Sequence, residues 1–184
     1  MSTIHILQLG DTGVAARHVR DSISTIFRCQ VDLKRSHPDL EPFFDSDRGQ
    51  YNSTSLLLHL KSEYTRSASV LRPRVSKEKI LAVINADLFI PILTYVFGEA
   101  ELNGTVAVVS PYRLRNELYG LPADHTLFAQ RFLKESLHEV GHLYGLLHCS
   151  DQYCAMHAST YVEDIDLKGD SFCDHCLDVV RQGS

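Results

Sequence analysis

The residues of this chain best placed to do chemistry lie in one string, HEVGHLYGLLH, from His138 to His148. His138 and His142 are four apart, so on a helix they stand one turn above the other and can face the same ion. Glu139 neighbours the first histidine and can reach a metal-held water without being a ligand. Gly145 follows His142 by three residues. A left-handed conformation there ends the helix and brings His148 back as a third nitrogen. Three protein ligands and one open position are the pattern of catalytic rather than structural zinc. Such an ion polarises a peptide carbonyl and acidifies its water, while Glu139 takes the proton and delivers it to the leaving amine. Two blander readings compete. A chance HExxH leaves the offsets of Gly145 and His148 unexplained, and a zinc held only for stability gives Glu139 no purpose.

A second constellation follows at once. Cys149, Cys154, Cys173 and Cys176 form C-x4-C, a long interval, then C-x2-C. The close pair CDHC lets two thiolates chelate one ion, and two such pairs closing a loop build a tetrahedral sulfur site. That site staples a tail too short for a core of its own. Two disulfides, or an iron–sulfur cluster, use the same residues and stay open as alternatives. His157 and His175 are near enough to substitute as ligands, though exposed or supporting histidines explain them equally. Cys29 has no cysteine near it in sequence and reads as a small buried hydrophobe.

HEVGHLYGLLH resembles the elongated motif of the metzincin clan, and its continuation HCSDQYCAM, followed by CDHC, resembles the archaemetzincin family in particular. The resemblance implies that His138, His142 and His148 bind a catalytic zinc and that Glu139 is the general base. It implies a second, structural zinc on Cys149, Cys154, Cys173 and Cys176, making two per chain. Cys154-Ala155-Met156 then forms the methionine turn, a loop beneath the metal that supports the ligands. The interval between Met156 and Cys173 holds sixteen residues, one fewer than the family's pattern. The resemblance further implies an edge strand above the active-site helix that pairs with extended peptide. The segment Gly104 to Ser110, GTVAVVS, is the expected strand. Tyr144 and Tyr153 are read as packing residues rather than oxyanion donors.

These side chains need elements to position them. Ile4 to Leu9 reads as a central strand, and Val14 to Phe27 as an amphipathic helix with Val19, Ile23, Ile26 and Phe27 inward. Cys29 to Leu33 reads as a second strand and Ser36 to Gln50 as loop. Asn52 or Ser53 caps a helix through Leu56, Leu57 and Leu60. Ile80 to Ile84 is the strongest buried strand, and Leu88 to Phe97 is ambiguous between strand and turn. Thr105 to Val109 is a further strand. Asp124 caps a helix through Leu127, Phe128, Phe132, Leu133, Leu137 and Val140. Interleaved strands and helices predict an α/β class. With the resemblance, this becomes a metzincin-like catalytic domain with a twisted mixed sheet and a short zinc-stapled C-terminal subdomain. The expected division is 1–145, carrying sheet and active-site helix, and 146–184, carrying the third histidine, the methionine turn and the cysteines.

Composition bounds the rest. A chain of 184 residues holds one substantial core. A net charge of -5 does not suit a nucleic-acid binder. The one basic stretch, Arg72 to Lys79, reads as a solvated loop. GDTGV at Gly10 lacks the lysine and hydroxyl of a phosphate loop. No apolar run suits a membrane span and the N-terminus has no secretory pattern, so a cytoplasmic, monomeric enzyme is expected. Its partners are peptides or proteins, cut as an aminopeptidase or small endopeptidase. The alternative is a zinc-binding peptide-recognition or scaffold protein with little or no turnover.

Overall fold

The structure is a computed structural model that describes residues 2–14, 16–71 and 78–183. The chain opens with β1 (Thr3–Leu9), α1 (Arg17–Phe27) and β2 (Gln30–Ser36). Two short strands, β3 (Phe44–Asp45) and β4 (Gln50–Asn52), lead into α2 (Ser53–Leu71). Then come β5 (Glu78–Ile84), β6 (Leu88–Phe89), β7 (Gly98–Ala100) and β8 (Val106–Val109). Helix α3 (His125–Leu143) and two shorter helices, α4 (Val162–Leu167) and α5 (Asp174–Gly183), complete the fold.

The main sheet has the order β2-β1-β5-β8-β7, parallel throughout except for β7, which runs antiparallel to β8. Side chains alternate across a strand, and here that alternation builds two cores. Ile4, Ile6, Leu81, Val83, Ala107 and Val109 face α1 and α3. Leu9, Ile80, Ala82, Ile84, Val106 and Val108 face α2, which supplies Leu56, Leu57 and Leu60. The first core also takes in Met156, Val162, Ile165 and Val180, so the tail after Gly145 packs onto the same interior. Phe172 meets Phe27 edge-on at 5.6 Å.

The helix boundaries have local causes. Asn52 Oδ1 accepts the Ser55 N–H at 3.0 Å at the start of α2. Asp124 Oδ1 accepts the N–H groups of Thr126 and Leu127 at 3.0 and 2.9 Å at the start of α3. At the end of α3, Gly145 takes φ 86°. Its N–H donates to His142 O at 2.9 Å, and the Leu146 N–H donates to Gly141 O at 3.1 Å. This is a Schellman stop, which needs the left-handed residue that glycine supplies.

Several expectations need correction. The segment Gly104 to Ser110 is not the sheet edge: β8 is paired on both sides, by β5 and β7. The edge is β7, whose sequence GEA is too short and too polar to stand out. Within Ser36 to Gln50, between the end of β2 and the start of β4, the chain forms a 3-10 turn at Glu41–Phe43 and a short strand, Phe44–Asp45, paired with β4. Leu88 to Phe97 resolves into two residues of strand, a turn, and a bridge between Leu88 and Val96. The basic stretch falls outside the described residues as far as residue 77, and Glu78 and Lys79 belong to β5 rather than to a loop. Lys79 Nζ donates to Gly104 O and Leu143 O at 2.8 and 2.7 Å. Tyr144 packs as expected, its ring 4.7 Å from Phe27, whereas Tyr153 is 68% exposed.

Candidate metal centre and cleft

His138 and His142 leave α3 on the face turned toward the segment that follows Gly145. The His138 Nδ1–H donates to Ala155 O at 2.9 Å, and the His142 Nδ1–H donates to Leu146 O at 2.7 Å. Each backbone acceptor fixes its ring's tautomer and leaves Nε2 free as a ligand. The two Nε2 atoms stand 3.1 Å apart. Two nitrogens at about 2.05 Å from a tetrahedral zinc would be about 3.3 Å apart, so the pair fits one ion. His148 completes the cluster: one ligand nitrogen from each of the three rings lies within 4.8 Å of the others. Burial lowers the pKa of all three imidazoles, that of His138 most, and the Lys168 ammonium acts in the same direction. They are thereby kept in the neutral, ligating form.

Met156 is fully buried beneath this cluster. Cys154 O accepts the His157 N–H at 2.9 Å, which closes a turn with Ala155 and Met156 at its corner. The same turn presents Ala155 O to His138 and leaves Met156 Sδ against Gly141. A Cβ on Gly141 would lie 2.4 Å from that sulfur, so α3 can rest on the methionine only because residue 141 is glycine.

Glu139 is buried beside the ligands, and its carboxyl pKa is raised well above the usual range. Burial is the main cause, and the charges of Glu135 and Glu99 add to it while Lys168 opposes. The carboxylate lies against the edge strand: a Cβ at Gly98 would come 2.5 Å from Glu139 Oε1. Gly98 therefore sets how closely β7 approaches the Glu139 carboxylate. Glu135, one turn earlier on α3, meets the ammonium of Lys168 at 2.7 Å, with both side chains buried. Lys168 Nζ also donates to His157 O at 3.2 Å. Nothing in the sequence marks Gly98 or Lys168 for this site, and Glu135 carries one hint, its place at i−4 from Glu139 on the helix.

Cys149, Cys154, Cys173 and Cys176 converge with their sulfurs within 4.8 Å of one another. All are free thiols. Cys149 Sγ and Cys173 Sγ are 3.8 Å apart, the separation of about 3.8 Å expected for thiolates about 2.3 Å from one tetrahedral ion. A backbone N–H from Cys176 lowers the Cys173 pKa, while burial raises those of Cys154 and Cys176. His157 bonds Cys149 O through Nδ1 at 3.0 Å, and His175 is exposed. Cys29 is buried alone, its thiol pushed up to about 11 by burial.

Between β7 and the segment after the methionine turn runs a cleft of about 570 Å³ that contains the histidines and Glu139. A mixed α/β fold that seats such a helix over a methionine turn, at the floor of a cleft, defines a zinc metallopeptidase of the metzincin class. The profile of Peptidase family M54 matches residues 39–182. The archaemetzincin of Methanocaldococcus jannaschii is 40% identical over 134 residues, 73% of this chain and 68% of the relative. A zinc-dependent peptidase from Methanocorpusculum labreanum superimposes with a TM-score of 0.83 at 33% identity, over 96% of this chain and 99% of the other. Archaemetzincin from Methanopyrus kandleri gives 0.78 at 27%, over 98% and 94%. This chain belongs to the archaemetzincins, peptidase family M54.

Proposed function

We propose that the chain holds two zinc ions, a catalytic one on His138, His142 and His148 and a structural one on Cys149, Cys154, Cys173 and Cys176, with Glu139 as general base. The observation that carries the first assignment is the pair of Nε2 atoms at 3.1 Å, each freed by a backbone acceptor at Nδ1. When bound, the catalytic zinc supplies a Lewis acid that polarises the peptide carbonyl and lowers the pKa of its water. Glu139 does the proton work. Its burial and its carboxylate neighbours raise its proton affinity, which suits it to take a proton from water and pass it to the leaving amine.

The substrate lies along β7. Phe97 and Glu101 bond to β8 through Ser110 N–H to Phe97 O and Glu101 N–H to Val106 O, so Gly98 and Ala100 turn their backbone groups to the open edge. An extended peptide pairs there, directly above Glu139. The division at Gly145 has a functional meaning in this reading: residues 1–145 supply the edge and the helix, and residues 146–184 supply the third ligand and the braced floor. Four free thiols at ligating distance also favour a cytoplasmic, reducing setting. No helix among the described residues is long and apolar enough to cross a membrane.

Metal analysis of the purified protein should give about two zinc per chain, and Glu139→Ala should abolish peptide hydrolysis while keeping both ions. Hydrolysis that survives Glu139→Ala at full metal content refutes the assignment of the base.

A further inference from the structure

The strand that takes the substrate in the reading above is three residues long and hydrogen-bonded on one side only. So short a ladder holds a strand weakly. A peptide gains affinity from an edge only when that edge is already in place before it arrives. The side chain of Glu99 supplies a hold from outside the ladder. Across the ladder Gly98 pairs with Val109, Glu99 with Val108 and Ala100 with Ala107. Val109 and Ala107 belong to the core that faces α3, and Val108 to the core that faces α2. Cross-strand partners share a face. Gly98 and Ala100 therefore look toward α3 and the histidines, and Glu99 points the other way, at the start of α2. There Thr54 Oγ1 donates to the Glu99 carboxylate, 2.8 Å from Oε1 and 3.0 Å from Oε2. The buried Ser53 hydroxyl reaches Glu99 Oε2 and, at 3.1 Å, Phe89 O on β6. Both hydroxyls belong to the first turn of a 19-residue helix, where a negative charge is also favoured by the dipole. Bonds to an ionised acceptor are the strong ones.

We propose that Glu99 is a positioning residue for the substrate: held by Ser53 and Thr54, it fixes the backbone of Gly98 and Ala100 as a preformed template. On its other face the strand has little clearance, since a Cβ at Gly98 would lie 2.5 Å from Glu139 Oε1. Anchoring at Glu99 thus also fixes the height of β7 over Glu139. Glu99 acts through the backbone on either side of it, from the sheet face opposite the histidines. The first turn of α2 becomes part of the peptide-binding apparatus although it lies across the sheet from the cleft. This rests on the peptidase reading and its pairing along β7, and adds the residues that make the edge rigid.

The probe is a fluorescent decapeptide selected from a mixed pool by binding to zinc-loaded Glu139→Ala. Its affinity is measured in that background, and kcat and KM for its cleavage are measured with Glu139 intact. All readings are taken at full zinc content and well below the melting temperature. We expect Glu99→Ala to weaken binding and raise KM about tenfold, with kcat changed less than about threefold. Thr54→Val should shift both in the same direction by a smaller factor. Glu99→Gln, which keeps an acceptor for the two hydroxyls, should recover most of the wild-type affinity. A lowered melting temperature with unchanged binding and KM makes Glu99 a structural residue and overturns the proposal, as does a loss carried by kcat alone. If Glu99→Ala does not fold, Thr54→Val decides, and unchanged binding there overturns it. Binding that weakens as expected without turnover in the wild type sinks the peptidase reading and keeps this one. A pool that yields no binder sinks both.

Discussion

Replacing Lys168 by methionine tests whether the buried ion pair beside the catalytic helix holds the two halves of the site together. Its side chain is 0% exposed and that of Glu135 is 4% exposed, with the ammonium 2.7 Å from the carboxylate. Lysine is almost never fully buried unless paired. Lys168→Met keeps the chain's bulk and removes the charge, leaving the Glu135 carboxylate without its partner. Breaking a buried pair in this way costs about 3–5 kcal/mol. For a chain of this size, about 2–4 °C of melting temperature per kcal/mol makes the drop roughly 6–20 °C. Converting both partners to apolar residues removes the desolvation cost along with the attraction, so Glu135→Leu/Lys168→Met should lie close to wild type. Calorimetric melting of the zinc-loaded wild type, both single variants and the double variant reads the cycle directly. A Lys168→Met loss below about 1 kcal/mol, or a double variant whose loss is the sum of the singles, refutes the reasoning.

Four further outcomes are expected. Gly141→Ala forces a methyl into the Met156 sulfur, which sits 2.4 Å from the ideal Cβ position; we expect a loss of about 1–3 kcal/mol and weaker binding at the histidine site, measured by chelator competition. In metal-free protein, the lowered imidazole pKa values mean that the unfolded chain binds more protons as pH falls through 6.5, so stability present above that pH is lost on acidification. Glu139, raised from 4.5, acts with the opposite sign, its contribution complete below that value and lost as pH rises, so Glu139→Gln should raise the metal-free melting temperature at neutral pH. Cys173→Ser should lose the tail metal and also weaken zinc at the histidines, because Cys149 adjoins His148; unchanged turnover and unchanged histidine-site affinity would separate the two sites.

The clustering of the histidines and of the cysteines was legible because it is carried by spacing along the chain. A four-residue interval on a helix and a glycine three residues on fix positions without any long-range information, and α3, Gly145 and Met156 fell where the sequence put them. The strands around the site were legible as strands, since Ile80 to Ile84 and Thr105 to Val109 are apolar runs that bury on both faces. Their order was not. Which strand becomes the edge depends on partners far apart in sequence, and GTVAVVS announces itself far more loudly than GEA. Lys168 and Glu135 were invisible for a related reason. Charged residues are usually solvated, and only the folded chain brings two of them together in the interior across 33 residues.

The peptide bond between His148 and Cys149 also sets a schedule. His138 and His142 ride a helix that is complete at Leu143, but His148 is steadied from downstream, where Met156 O accepts the Cys149 N–H at 2.9 Å. The sulfurs that close around Cys149 arrive only with Cys173 and Cys176. On the proposed assignments, a chain that has emerged only as far as His148 would hold the helix and its two histidines, while the groups that would steady the third still lie ahead of it.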